Sequence, residues 1–281
     1  MAYWAWGDVQ AAHTVVCVHG LSRQGRDFDV LAQALVARAG QAGRSIRVVC
    51  PDVAGRGQSD WLTDPQAYQL PTYANDMLAL LAHLKPQTLD WVGTSMGGLI
   101  GMAVCAHAAS VGAKVRRLVL NDVGPAIQWE ALARIGQYLG HAVAFASLQQ
   151  AADAMWTVSS SFGPHTPEQW LALSRHMVKP RADGQPGVVL HYDPAIAVPF
   201  RAVTPEAAAQ GEALLWQVYD SLTAQTLLLR GAQSDLLSVA TARQMTERGP
   251  RARLQEFAGV GHAPTLIAPD QVDAVAAFLL D

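Results

Sequence analysis

Leu89-Asp90-Trp91-Val92-Gly93-Thr94-Ser95-Met96-Gly97-Gly98 is the stretch on which the fold turns. Leu89–Val92 is a short apolar run that predicts a buried strand. From Met96 to Ala109 apolar residues recur every three or four positions, which predicts a helix. A chain passing from strand to helix within three residues must turn sharply. Gly93 and Gly97, two positions before and after Ser95, supply the small residues that let the strand and helix approach. The turn leaves Ser95 in a strained backbone conformation at the start of a helix, where free N–H groups and the helix dipole favour negative charge. A serine held this way is placed to act as a nucleophile. The alternative is a glycine-rich helix start with an incidental N-cap serine, and the rest of the chain weighs against it.

Working outward, short apolar runs alternate with helical patterns. Strands are expected at Thr14–Val18, Ile46–Cys50, Leu89–Val92, Val115–Leu120, Thr226–Leu229 and Gln255–Phe257. Helices are expected at Phe28–Ala39, Thr72–Leu84, Met96–Ala109, Val239–Arg248 and Gln271–Leu280, with Pro71 and Pro269 marking two helix entries. The alternation predicts an α/β fold with a mostly parallel central sheet flanked by helices. The rhythm breaks between Gly124 and about Ser221. The expected organisation is therefore a core of residues 1–123 and 222–281, with 124–221 as a mostly helical insertion.

Candidate partners for Ser95 follow it in the chain. Gly259-Val260-Gly261-His262-Ala263-Pro264 places a histidine on a glycine-rich loop after the last strand, where His262 can act as general base. Asp235, in the loop after the strand Thr226–Leu229, is the first choice for the acid that orients His262. Asp122, at the end of the strand Val115–Leu120, is the rival, or else a capping carboxylate at the entrance to the insertion. His19-Gly20-Leu21 ends the first strand. Gly20 permits a tight turn, so the N–H of Leu21 and that of Met96 are candidates for an oxyanion hole. His19 is expected to brace that loop.

Together these residues resemble the α/β-hydrolase superfamily over essentially the whole chain. The loop Asp52-Val53-Ala54-Gly55-Arg56-Gly57-Gln58-Ser59-Asp60 belongs to the resemblance as a structural element. The resemblance implies that residues 124–221 form a cap that covers the site and sets specificity. Serine at 95 argues against haloalkane dehalogenases and epoxide hydrolases, which carry aspartate there. His19-Gly20-Leu21-Ser22-Arg23-Gln24-Gly25-Arg26-Asp27-Phe28 looks like capped serine carboxylesterases and their carbon–carbon-cleaving relatives, without the Gly-Pro-Gly that ring-cleavage-product hydrolases often carry after His-Gly. The implied activity is carboxylic-ester hydrolysis through an acyl-enzyme. The alternatives are carbon–carbon hydrolysis of diketones, enol-lactone hydrolysis, or a binder that has kept the fold.

The bulk properties agree. The chain has 281 residues, 51% apolar and 15% charged, with a net charge of −3. It can therefore bury a sizeable core, and no basic stripe marks a nucleic-acid surface. Apolar runs fall short of a membrane span, and the N-terminus lacks the pattern of a signal peptide. Cys17, Cys50 and Cys105 lack metal-ligand spacing and read as free thiols of a reducing cytoplasm. The expectation is a cytoplasmic enzyme, monomer or homodimer, acting on a small-molecule ester. It needs no cofactor or metal and binds neither nucleic acid nor membrane. The insertion is rich in aromatic residues, most of them expected in its own core, with Trp156 and Phe162 chosen to line the site. Arg23 is a candidate for a substrate carboxylate, ahead of Lys179 and Arg181. If it takes that role, the substrate is an ester with a free acid end, such as a short hydroxyalkanoate oligoester.

Overall fold

Along the inner strands, alternate residues enter two different apolar layers, the period-two pattern of a sheet covered on both faces. Val16, Val18, Trp91, Leu118, Leu120 and Leu228 face one layer. Val15, Cys17, Val92, Val119, Leu227 and Leu229 face the other. The structure is a computed structural model describing residues 1–281. Its strands are β1 (Tyr3–Gly7), β2 (His13–Val18), β3 (Ile46–Pro51), β4 (Thr88–Thr94), β5 (Val115–Asn121), β6 (Ala144–Phe145), β7 (Val178–Pro180), β8 (Val188–Leu190), β9 (Gln225–Gly231) and β10 (Arg253–Phe257). Its α-helices are α1 (Asp29–Gln41), α2 (Leu70–Leu84), α3 (Met96–His107), α4 (Trp129–Tyr138), α5 (Leu148–Ser159), α6 (Pro167–Arg175), α7 (Ala197–Arg201), α8 (Pro205–Ser221), α9 (Val239–Glu247) and α10 (Pro269–Leu280).

The central sheet has seven strands in the order β1-β3-β2-β4-β5-β9-β10. All neighbours run parallel except β1, which pairs antiparallel with β3. Leu31 and Leu35 of α1 and Val272, Val275 and Leu279 of α10 pack on one face. Residues of α2, α3, α8 and α9, among them Met77, Ile100, Tyr219 and Met245, pack on the other. Pro71 and Pro269 lie inside the first turns of α2 and α10, where a missing N–H costs nothing. No helix is long and apolar enough to cross a membrane.

The strand order reverses between β2 and β4. β2 leads outward to β3, whereas β4 leads to β5 on the other side. Such a switch point opens a crevice at the carboxyl ends of the strands. His19-Gly20 leaves β2 there and Ser95 leaves β4 there.

Between β5 and β9 the chain runs through α4 to α8 and a three-stranded antiparallel sheet of order β6-β8-β7. The expectation of a mostly helical insertion did not include this sheet, because strands of two or three residues carry no readable period. The segment meets the core at several points. Asp193 N–H donates to Gly55 O at 2.7 Å, Gly57 N–H to His191 O at 3.1 Å and Tyr68 Oη to Asp193 Oδ2 at 2.6 Å.

Candidate active site

Ser95 adopts φ +52° and ψ −120°, a conformation that costs a non-glycine residue energy and exposes its side chain. Its carbonyl is fixed by the N–H groups of Gly98 at 2.8 Å and Leu99 at 3.3 Å. The close approach expected of Gly93 and Gly97 is present. A Cβ on Gly93 would lie 2.3 Å from Gly97 O, and one on Gly97 would lie 2.0 Å from Val18 O.

His262 Nε2 lies 3.0 Å from Ser95 Oγ. Its Nδ1 lies 2.7 Å from Asp122 Oδ2. A carboxylate at Nδ1 makes that nitrogen the donor and leaves Nε2 free to accept the serine proton. The first choice of Asp235 for this position is therefore corrected. Asp235 points outward, about half exposed, and pairs with Arg134 Nη2 at 2.6 Å. Asp122 is fully buried. Its Oδ1 accepts the Gly231 N–H at 2.8 Å, and its Oδ2 also accepts from Ser234 Oγ at 2.6 Å.

Ser234, one residue before the expected acid, went unnoticed in the sequence. Its oxygen accepts the N–H groups of Leu236 at 3.3 Å and Leu237 at 3.1 Å. With its lone pairs engaged, its proton is directed at Asp122. The loop after β9 thus reaches the histidine indirectly. The His262 loop is held from three sides. Gly261 N–H donates to Ser161 O at 2.5 Å, Ser161 Oγ to His262 O at 3.2 Å, and Asn121 Nδ2 to Pro264 O at 2.8 Å.

Gly20 faces Ser95, since a Cβ built on it would sit 3.7 Å from Ser95 Cβ. The Leu21 N–H has no acceptor within the protein. Met96 opens α3, so its N–H has no carbonyl one turn earlier. His19 is buried and braces the loop. Its Nε2 accepts the Val53 N–H at 3.0 Å, so Nδ1 carries the proton and donates to Gly20 O at 2.7 Å. Burial pushes the His19 pKa down to about 3, outweighing the bond to Gly20. The peptide plane makes this bond matter. Gly20 C=O and Leu21 N–H belong to one trans peptide and point oppositely, so holding the carbonyl aims the N–H. Arg56, also buried and read in the sequence only as part of the structural Asp52–Asp60 loop, fixes the next peptide by donating from Nε to Leu21 O at 2.8 Å. The Asp52–Asp60 loop is structural: Asp52 accepts the N–H groups of Gly25 at 2.8 Å and Gln58 at 2.9 Å.

Above Ser95 and His262 lies a cavity of about 320 Å³. Residues of α4 (Arg134, Ile135, Tyr138) line one side, and Met155 and Val158 of α5 with Phe162 line another. Of the two expected aromatic residues, Phe162 lines this cavity. Trp156 does not: it packs edge-on against Trp170 with ring centroids 5.0 Å apart, in the segment's own small core. Arg23 lines the cavity but is held by Asp27, Nε to Oδ2 at 2.6 Å and Nη2 to Oδ1 at 2.7 Å. Lys179 stacks on Trp61 at 4.5 Å and Arg181 pairs with Asp183, both away from the cavity.

A family model described as the alpha/beta hydrolase family matches residues 15–278. The chain is 48% identical over 274 residues to the 3-hydroxybutyrate-oligomer hydrolase of Cupriavidus necator, covering 97% of this chain and 90% of that protein. It is 25% identical to the 2-hydroxymuconate semialdehyde hydrolase of a Pseudomonas species, covering 79% of this chain and 72% of that one. Among solved structures, an alpha/beta hydrolase from Novosphingobium aromaticivorans superposes with a TM-score of 0.80 at 35% identity, covering 99% of this chain and 92% of that one. An esterase from Exiguobacterium antarcticum shares the fold at 18% identity, with a TM-score of 0.69 over 99% of this chain and 93% of that one. With the model matched over nearly its whole length, the chain belongs to the alpha/beta hydrolase family, and it is a hydrolase.

Proposed function

We propose that the chain cleaves short 3-hydroxyalkanoate oligoesters through an acyl-enzyme formed on Ser95, with His262 as general base and Asp122 as the orienting acid. The observation that carries the mechanism is the unbroken relay from Ser95 Oγ to His262 Nε2 at 3.0 Å and from His262 Nδ1 to Asp122 Oδ2 at 2.7 Å, opening on a largely apolar cavity. His262 takes the serine proton as Ser95 attacks the ester carbonyl. The N–H groups of Leu21 and Met96 stabilise the oxyanion, each such donor contributing on the order of 10²–10³ in rate. His262 returns the proton to the departing alcohol. Water then repeats the sequence and frees the acid.

The segment between β5 and β9 acts as the cap, residues 124–221 in our division, with 1–123 and 222–281 as the core. The substrate class rests on the Cupriavidus relative, whose likeness extends over nearly the whole of both chains. The three free cysteines, two of them buried, support a reducing compartment such as the cytoplasm.

The test is hydrolysis of the linear 3-hydroxybutyrate dimer and trimer, with p-nitrophenyl butyrate alongside, by wild type and Ser95→Ala. Release of 3-hydroxybutyrate that disappears in the variant supports the reading. Oligomer turnover that survives Ser95→Ala overturns the mechanism, and failure on the oligomers alone overturns the substrate class.

A further inference from the structure

Two arginines line the cavity, Arg23 and Arg134. Their surroundings differ. Arg23 is engaged through two nitrogens by Asp27, whose side chain is 19% exposed against 13% for Arg23. That pair is neutral and closed, and separating it would leave a poorly solvated charge. Arg134 makes one hydrogen bond, from Nη2 to Asp235, with side chains 41% and 51% exposed. Exposed single-contact pairs are weak and exchange readily. Asp235 does not line the cavity. Seen from the substrate's side, Arg134 is a cation with donors to spare beside Ile135, one helical turn from Tyr138.

The chemistry of a hydroxyacid oligoester decides which end such a cation would read. In a linear oligomer every ester lies between an acyl part that ends in a free hydroxyl and an alkoxy part that ends in a free carboxylate. The carboxylate is therefore always on the leaving-group side of the scissile bond. We propose that Arg134 is the subsite for the free carboxylate of the departing hydroxyacid, exchanging Asp235 for the substrate anion. The proposal rests on the oligoester reading above. The leaving group lies along α4, and the acyl part lies toward Met155, Val158 and Phe162. Asp235 competes with the substrate for the same guanidinium.

The experiment compares kcat/KM for the 3-hydroxybutyrate dimer with that for its methyl ester, which has the same scissile bond and no terminal charge. The expected result for Arg134→Gln is a fall of about tenfold or more in the ratio of free acid to methyl ester. Asp235→Asn is expected to move the same ratio upward. The methyl ester serves as the folding control within each variant. An unchanged ratio in Arg134→Gln, or a lower ratio in Asp235→Asn, overturns the carboxylate subsite while leaving ester hydrolysis in place. Wild-type enzyme that cleaves neither dimer overturns the oligoester reading itself.

Discussion

A carboxylate can orient His262 only if its own oxygens are held still. Asp122 meets that condition, with three donors on its two oxygens and no solvent contact, whereas Asp235 sits at the surface with one exchangeable partner. Asp122→Asn is expected to lower kcat by on the order of 10³–10⁴-fold, because the amide favours the wrong tautomer of the histidine. Asp235→Asn is expected to stay within about threefold on p-nitrophenyl butyrate, as an exposed ion pair contributes at most about 1 kcal/mol. Steady-state assays on both variants decide between the two acids, and the opposite ranking would restore Asp235. Ser234 gives a finer test. Removing its hydroxyl leaves Asp122 Oδ2 with one donor fewer, so Ser234→Ala is expected to lower kcat about tenfold with KM little changed. Ser234→Thr should recover most of the loss, and a variant that shifts KM alone would argue that Ser234 only shapes the pocket.

At the scale of elements, the parts that were legible in the sequence are those with a strong local signal. β2, β4 and β5 are runs of apolar residues between turns, and the elbow around Ser95 needs glycines at fixed offsets. The parts that were not legible depend on neighbours distant in sequence. β1 is a five-residue edge strand, Tyr-Trp-Ala-Trp-Gly, recognisable only by its pairing with β3. Trp156 and Phe162 lie six residues apart and both pack edge-on against Trp170, and only the fold shows that Phe162 also reaches the cavity while Trp156 does not. The choice between Asp122 and Asp235 was undecidable for the same reason, since both lie on loops at the same sheet edge and only the direction of the side chain separates them. The elbow is where element geometry is least forgiving. Gly97→Ala would force a methyl against Val18 O, a backbone atom that cannot rotate away. The expected result is a destabilisation of about 1–3 kcal/mol by overpacking, read as a lower urea midpoint, with esterase activity falling further than stability alone explains. A variant with wild-type midpoint and activity would show that β2 and α3 are not pressed together at the switch point.

For the whole molecule, buried histidines couple folding to pH. His19 in the core is pushed down to about 3 by burial. His165, His176 and His191, where the segment between β5 and β9 meets the core, are lowered too, each chiefly by burial. Arg23 beside His165, Arg26 and Arg175 beside His176, and Lys179 beside His191 push the same way, while Asp27, Asp29 and Asp52 oppose them. In the unfolded chain these rings titrate near 6.5. Below that pH the unfolded state binds protons that the folded state refuses. Stability is therefore full above about 6.5 and falls as pH drops toward the folded values. His19 alone should contribute a slope of about 1.4 kcal/mol per pH unit from 6.5 down toward 3. Because Asp27 is raised by burial and acts with the opposite sign, the slope is best isolated by difference. Urea midpoints of wild type and His19→Gln, measured from pH 8 to pH 4.5, should run parallel above about 7 and converge below it. The variant starts less stable, because the shorter-reaching amide aims the Gly20 peptide less well, but it loses less on acidification because it has no ring to protonate. Curves that stay parallel throughout would mean that His19 is charged in the folded protein, and the bond that aims the Leu21 N–H would then need another explanation.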